Sequence, residues 1–364
     1  MDKVLSGIKK TTFRDNLIDW FRAHQRDLPW RNSGDWYPIF LSEFLLQQTQ
    51  IEQALPYFKK FINRYPQLSD LADASEYDVL ALWSGLGYYT RARNLLKSAK
   101  IIEAQYGGQF PRDYQSALSL PGIGAYTAAA ILSIAFNLPH AVVDGNVERV
   151  MSRLFCLNDD IRLSKTKKQI TQIVQVLLDK KQPGLFNEAL MELGALICRP
   201  RAPLCSDCPL NSFCRAYQSN RVEQFPYKSA PALKKQLKQY VLVLSSQNKF
   251  LIVQRPPNGL LASMWEFPTL MVNHFRYSKA RIGELIREKY KCPVGRLNKG
   301  QVYKHTYSHI RLTFVPLLVK VDSADFHYQE YYSAMNWRSL SELSEEPLHN
   351  AHKKILIWLN EVRN

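Results

Sequence analysis

Two carboxylates and a quartet of cysteines are the residues of this chain whose types and spacing could do chemistry. Glu43 stands in an apolar run, and on a helix its neighbours at i−4, i−3 and i+3 are Ile39, Phe40 and Leu46. A carboxyl among such groups is desolvated, so its pKa rises and it keeps its proton near neutral pH, as a general acid requires. A capping or surface glutamate fits the same sequence. Asp144, in Asp144-Gly145-Asn146, stands just before a helical pattern, where aspartate is also a favoured N-cap. Cys198-x6-Cys205-x2-Cys208-x5-Cys214 offers four thiolates in one small loop, and thiolates hold either zinc or an iron–sulfur cluster. Zinc sites usually pair two short knuckles, and only one C-x-x-C is present here. Cys156 and Cys292 read as ordinary thiols.

The elements that must position these groups change character along the chain. Helical spacing is read in Phe13, Leu17, Trp20 and Phe21, then from Pro38 to Leu46, and over Tyr88–Tyr106, Ala125–Phe136, Asn146–Leu157, Lys165–Lys180 and Phe186–Ile197. Gly85, Gly87, Gly107-Gly108, Pro121-Gly122 and Pro183-Gly184 read as breakers between them. Leu120-Pro121-Gly122-Ile123-Gly124 joins two helical stretches. Its glycines allow close backbone approach, and the helix that follows presents its first N–H groups to an anion; a plain connection has the same look. Residues 215–239 are polar and basic. Beyond them Tyr240–Ser245, Phe250–Arg255, Gln301–His305 and Arg311–Val321 read as strands, and Ser278–Lys291 and His349–Val362 as helices. The domains expected are an all-α region 1–218, a linker 219–239 and an α+β domain 240–364.

Charge narrows the partners. The 364 residues carry a formal net charge of +16, and residues 201–300 alone hold 17 Lys and Arg against 5 Asp and Glu. A solvated basic surface has this composition, and so does a protein that binds a polyanion, nucleic acid before membrane. No apolar stretch approaches the roughly 20 residues of a membrane span. The first residues have lysines but no apolar core, so secretion is not expected.

Leu120–Thr127, LPGIGAYT, resembles the hairpin of the helix-hairpin-helix DNA glycosylases, and Val143-Asp144-Gly145-Asn146-Val147 resembles the aspartate segment that follows it. Ser42-Glu43-Phe44-Leu45-Leu46-Gln47-Gln48-Thr49 is similar to the active-site helix of the MutY-type adenine glycosylases, and the cysteine spacing and the second half agree with that family. The resemblance implies an all-α helix-hairpin-helix core with a [4Fe–4S] loop, followed by a MutT/Nudix-like α+β domain. It implies removal of adenine opposite 8-oxoguanine or guanine in double-stranded DNA after base flipping. Breaking the bond leaves positive charge on the sugar and negative charge on the base. Glu43 would protonate the purine and Asp144 would face the sugar cation, with Tyr126 and Asn146 beside them, a division of labour shared with glycoside hydrolases.

The resemblance also implies that Trp30, Arg31 and Glu188 surround the flipped adenine, and that Gln48, Thr49, Leu86 and Tyr88 enter the duplex at the lesion. From the residues alone, the tyrosines after Leu86 could as well pack a core. Gly122 and Gly124 would meet the DNA backbone, Cys198, Cys205, Cys208 and Cys214 would hold the cluster, and Arg199, Arg201 and Arg215 among them present cations to phosphate. Tyr307-Ser308-His309 is similar to the family's Phe-Ser-His loop, so Ser308 and His309 would contact 8-oxoguanine. The paired acids of the Nudix hydrolase signature are absent, since Ser278–Lys291 offers only Glu284 and Glu288. A binding domain without hydrolase activity is expected, in a monomeric cytoplasmic protein working at a bacterial nucleoid.

Rival readings are an endonuclease III-type glycosylase/lyase, a non-catalytic iron–sulfur DNA-binding protein and a Nudix hydrolase. Tyr126 separates the first of these. The lyases of the superfamily carry a lysine at that hairpin position, and a phenol forms no imine. Borohydride added during turnover should therefore trap no substantial protein–DNA complex, and the product strand should stay intact at its abasic site. Efficient trapping would restore the lyase reading.

Overall fold

A computed structural model describes residues 5–31, 33–230, 233–259, 261–307, 310–321, 326–346 and 348–363. The chain forms two compact units, Met1–Asp73 with Asn94–Pro231, and Ala74–Arg93 with Ala232–Asn364. The boundaries read at 218 and 240 run along the chain, whereas the units interleave, because 74–93 groups with the second half. Among the described residues no helix is long and apolar enough to cross a membrane.

The helices run in the order α1 (Lys10–His24), α2 (Trp36–Leu46), α3 (Ile51–Arg64), α4 (Leu68–Ala72), α5 (Glu76–Leu82), α6 (Thr90–Tyr106) and α7 (Tyr114–Ser119). They continue with α8 (Ala125–Phe136), α9 (Gly145–Phe155), α10 (Ser164–Leu177), α11 (Pro183–Leu196) and α12 (Arg215–Gln218). α2 buries every residue from Ile39 to Leu45, and α8 buries Thr127 through Ser133. A helix apolar on all sides must be enclosed by others, and α8 packs against both α2 and α11. α9 is amphipathic instead, sending Val147, Val150, Met151 and Leu154 into a core shared with α10 and α11.

One local expectation is corrected, and one helix went unread in the sequence. Pro183-Gly184 does not separate helices. Pro183 opens α11, where its missing N–H removes no intrahelical bond. Pro56, inside α3, masks a helix that Ala54, Phe58 and Phe61 nevertheless bury at helical spacing.

The second unit is built on a mixed sheet in the order β3-β2-β1-β7-β5, with β4 against β1, β6 against β7 and β8 against β2. The strands are β1 (Lys235–Ser246), β2 (Lys249–Gln254), β3 (Trp265–Glu266), β4 (Thr269–Val272), β5 (Leu297–Lys299), β6 (Tyr303–Thr306), β7 (Ile310–Lys320) and β8 (Ala334–Arg338). β1 and β7 pair in parallel, Tyr240 opposite Val315, and the other pairs are antiparallel. Strand alternation sends Tyr240, Leu242 and Leu244 to one face, where α13 (Lys279–Tyr290) packs through Ile282, Ile286 and Tyr290. Val241 and Val243 face the other side, covered by α14 (Leu340–Glu345) through Leu343 and by α15 (Asn350–Arg363) through Ile355 and Leu359. β1 starts at Lys235, five residues before the run read from sequence, because exposed Lys235, Gln236 and Lys238 pair with β7 without lying in the core.

The hairpin between α7 and α8 turns on Gly122. Its φ is +79°, and a Cβ there would lie 2.7 Å from the Asn94 Cβ and 2.8 Å from the Phe44 ring. Gly122→Ala should cost about 2 kcal/mol through strained backbone and overpacking. An unchanged thermal midpoint would contradict that account.

Candidate active site

α2, α8 and the turn before α9 bring Glu43, Tyr126 and Asp144 to one cleft of about 520 Å³. Trp30, Arg31, Thr49, Asn146 and Glu188 line it too. Gln48 does not. It is exposed beside the cleft, with a left-handed φ of 57°. Glu43 is only 6% exposed, and its Oε2 meets no hydrogen-bond partner among the described residues. Burial pushes its pKa up to about 8; the Tyr126 hydroxyl opposes this, and the charges of Asp144 and Glu188 add to it. The carboxyl is therefore protonated at neutral pH. Tyr126 is itself raised by burial and stays a neutral phenol, its hydroxyl 3.6 Å from the Met191 sulfur.

Asp144 is held differently. As the N-cap of α9 it accepts the Val147 N–H on Oδ1 at 2.8 Å, and it accepts the Asn146 amide on Oδ2 at 2.8 Å. Burial raises its pKa above the ordinary value, while these donors and the Arg149 charge pull it back. The chain of bonds continues outward. Asn146 Oδ1 accepts from Arg149 at 2.8 Å, and Arg149 Nε donates to the Cys198 carbonyl at 2.8 Å. Sequence reading missed Arg149 and its neighbour Arg153; two arginines four apart on the buried face of an amphipathic helix were the available signal.

The far wall of the cleft is an ion-pair lattice. Arg31 meets Glu188 at 2.9 Å and Glu192 at 3.3 Å, and Arg26 makes two 2.9 Å bonds to Glu192. Burial would raise Glu192, but the Arg26 bonds outweigh it and the net shift is downward. Arg26 and Glu192 were also missed, though Glu192 lies one helical turn beyond Glu188 on α11. Trp30 is packed edge-on against Phe58, with ring centroids 5.0 Å apart.

The four loop cysteines line one small apolar pocket beside Arg153, which donates to the Cys198 sulfur at 3.4 Å. Burial pushes Cys208 up to about 12 and Cys214 up to about 11, so four bare thiolates would be costly there without a bound cation. Among the described residues no three of these sulfurs lie mutually within 4.8 Å.

Residues 41–180 match the family of HhH-GPD superfamily base excision DNA repair proteins, and residues 239–358 match the NUDIX domain. The chain is 35% identical to the mouse adenine DNA glycosylase over 95% of its own length and 77% of that protein. It is 31% identical to the adenine DNA glycosylase of Buchnera aphidicola from Schizaphis graminum, over 94% of the chain and 97% of the relative. A solved thermostable thymine-DNA glycosylase superposes on 58% of the chain with a TM-score of 0.53 and 30% identity. The chain belongs to the adenine DNA glycosylases. It is a base-excision-repair enzyme that hydrolyses an N-glycosyl bond, built as a helical HhH-GPD core followed by a Nudix-like domain with a mixed sheet.

This adenine DNA glycosylase has a second large cavity, of about 700 Å³, in the unit that carries the sheet. Leu86, Tyr88, Arg93, Lys234, His305 and Tyr307 are among its lining. Leu86 is buried, whereas Tyr88 is 46% exposed with a left-handed φ of 50°. Ser308 and His309 lie outside the described residues.

Glu43 has a consequence for stability. Its proton is retained in the folded glycosylase up to about pH 8 but lost from the unfolded chain near the ordinary value of 4.5. Stability therefore falls as pH rises through that window. Glu43→Gln has no proton to lose, so its gain in thermal midpoint over the parent should grow between those two pH values and then level off. An advantage that is the same at both ends would contradict the burial-shifted acid.

Proposed function

We propose that Glu43 is the general acid and Asp144 the cation-stabilising carboxylate of a monofunctional glycosylase that removes adenine mispaired with 8-oxoguanine or guanine. The observation that carries this reading is one cleft holding a carboxyl raised to about 8 and a second carboxylate fixed by two hydrogen-bond donors. Cleavage of a glycosidic bond needs one carboxyl that donates a proton and a second group that stabilises the sugar cation. The adenine leaves the stack and enters the cleft beside Trp30, Arg31 and Glu188. Glu43 delivers its proton to a purine ring nitrogen as the bond to the sugar breaks and its electron pair stays with the base. Asp144 faces the positive sugar carbon, with Asn146 and Tyr126 keeping the site in order, and water completes the hydrolysis. Among the described residues, none that lines the cleft supplies the amine that a strand-cleaving imine needs.

Cys198, Cys205, Cys208 and Cys214 would hold a [4Fe–4S] cluster, which when bound supplies a rigid, positively flanked loop for DNA. The Gly122–Gly124 turn and the start of α8, which has no side-chain cap, suit a DNA phosphate. The cavity lined by Leu86, Tyr88 and Tyr307 suits the base opposite the adenine, with Gln48 and Thr49 on the duplex and Ser308 and His309 following Tyr307 in the chain. Glu284 and Glu288 of α13 both pair with Arg281 on the surface, which supports a binding role for the sheet domain and no nucleotide hydrolysis. The enzyme acts as a monomer on double-stranded chromosomal DNA in the cytoplasm, at the nucleoid.

Glu43→Gln should bind a mispaired duplex and lose adenine release by at least about 10²–10⁴-fold in single-turnover assays. Asp144→Asn isolates the charge, since asparagine caps a helix as well as aspartate does, and should lose excision comparably. Near-normal release by either variant would overturn the assignment.

A further inference from the structure

The start of α15 makes buried and part-buried polar contacts that the chemistry of base removal does not use. His349 Nε2 lies 3.0 Å from Glu266 Oε2, and its Nδ1 lies 3.4 Å from the Tyr307 hydroxyl. Glu266 is anchored in turn by Arg255 at 2.9 Å. One residue on, Asn350 donates to the Gly85 carbonyl at 3.3 Å, and Lys353 Nζ donates to the Ser84 hydroxyl at 2.7 Å. These groups lie within the unit that holds 74–93 and the sheet.

A metal is the first thought for Glu266, His349 and His352, whose ligand atoms lie within 4.8 Å of one another. The hydrogen bonds argue against it. The Phe267 N–H donates to His352 Nδ1 at 3.1 Å, so the neutral ring carries its proton on Nε2, the atom that would have to ligate. Arg255 beside Glu266 adds a repelling charge. The cluster is a fastening, and what it fastens is informative.

On one side stands Tyr307, whose N–H also donates to the Ile310 carbonyl at 2.8 Å. On the other stands Ser84–Tyr88, where Gly85, Gly87 and Tyr88 have φ of 102°, 77° and 50°. Backbone of that kind forms no regular ladder and is held by individual bonds. Both segments border the same cavity, as do His349 and Asn350 themselves.

We propose that the first turn of α15 is a positioning element for mispair discrimination: Lys353 and Asn350 hold the Ser84–Tyr88 segment, His349 with Glu266 holds Tyr307, and one rigid helical turn sets the spacing between the two segments that close on the base opposite adenine. This rests on the reading of that cavity proposed above. A helical turn is a good ruler, since its residues are fixed to one another by backbone bonds; here His352 and Lys353 N–H both donate to the His349 carbonyl. The Lys353–Ser84 bond acts only through the segment it holds, so losing it should be felt in discrimination and not in the chemical step.

The test is a double-mutant cycle on the full chain, read as the ratio of single-turnover adenine excision from A:8-oxoguanine and A:G duplexes. Lys353→Met keeps the packing of the stem, and Ser84→Ala removes the same bond from its other end. Each should lower the ratio about three- to tenfold, with excision from A:G and the thermal midpoint little changed. The double variant should fall no further than the worse single one, as expected for one shared bond. Should Lys353→Met fold poorly, Ser84→Ala alone carries the same expectation for the single variant. A ratio unchanged in the single variants, or losses that multiply in the double, overturns the proposal. Ser308→Ala run alongside tells the failures apart: if it too leaves the ratio intact, the assignment of the cavity falls and the positioning role with it. If it lowers the ratio while the cycle does not, only the positioning role falls.

Discussion

Desolvation of one carboxyl is the constraint on which the rest of the helical architecture depends. Glu43 sits in α2 among Ile39, Phe40, Phe44 and Leu45, all buried, and one of its oxygens meets no hydrogen-bond partner among the described residues. An ionised carboxylate there would lose its hydration for little in return. The proton is the cheaper solution, and the pKa of about 8 follows. A group of this kind lowers stability, so it persists only where surrounding packing over-determines it. α8 and α11 supply that packing, α8 buried from Thr127 to Ser133 and α11 from Phe186 to Gly194 apart from its cleft-facing positions.

Asp144 differs from Glu43 in its hydrogen bonds. Asp144 is also mostly buried, but the backbone and Asn146 donate to both of its oxygens. Arg149 links this cap to the Cys198 carbonyl, so the cysteine loop and the Asp144 turn share one hydrogen-bonded path through α9. Loss of the loop's fold would loosen the cap without touching the cleft directly. The ion-pair wall of Arg26, Arg31, Glu188 and Glu192 gives the cleft a rigid polar side, while Trp30 and Ile39 give it an apolar one.

Much of this was legible in the residues. The apolar periodicity around Glu43 allowed a buried acid as well as a surface one, and Asp144 before a helical pattern suited a cap; α2, α8 and α9 follow from the same spacing. Strands β1, β2, β6 and β7 were visible as β-branched or aromatic runs. The short strands β3, β4, β5 and β8 were not read. α3 was hidden by Pro56 and α11's start by Pro183-Gly184, where tertiary packing overrides the local signal of a breaker. Arg26, Glu192 and Arg149 escaped for a different reason. Their roles are set by partners 166, 161 and 49 positions away, and spacing along one helix says nothing about such pairs. The grouping of 74–93 with the sheet is long-range in the same sense.

The claim that burial keeps Glu43 protonated can be tested without any substrate. Difference infrared spectra of the parent protein against Glu43→Gln, recorded across a pH series, report the carbonyl stretch of a protonated carboxyl directly. The account predicts a band present at pH 7 that disappears with a midpoint near pH 8. No protonated-carboxyl band at pH 7, with the carboxylate signal complete by pH 5, would contradict it.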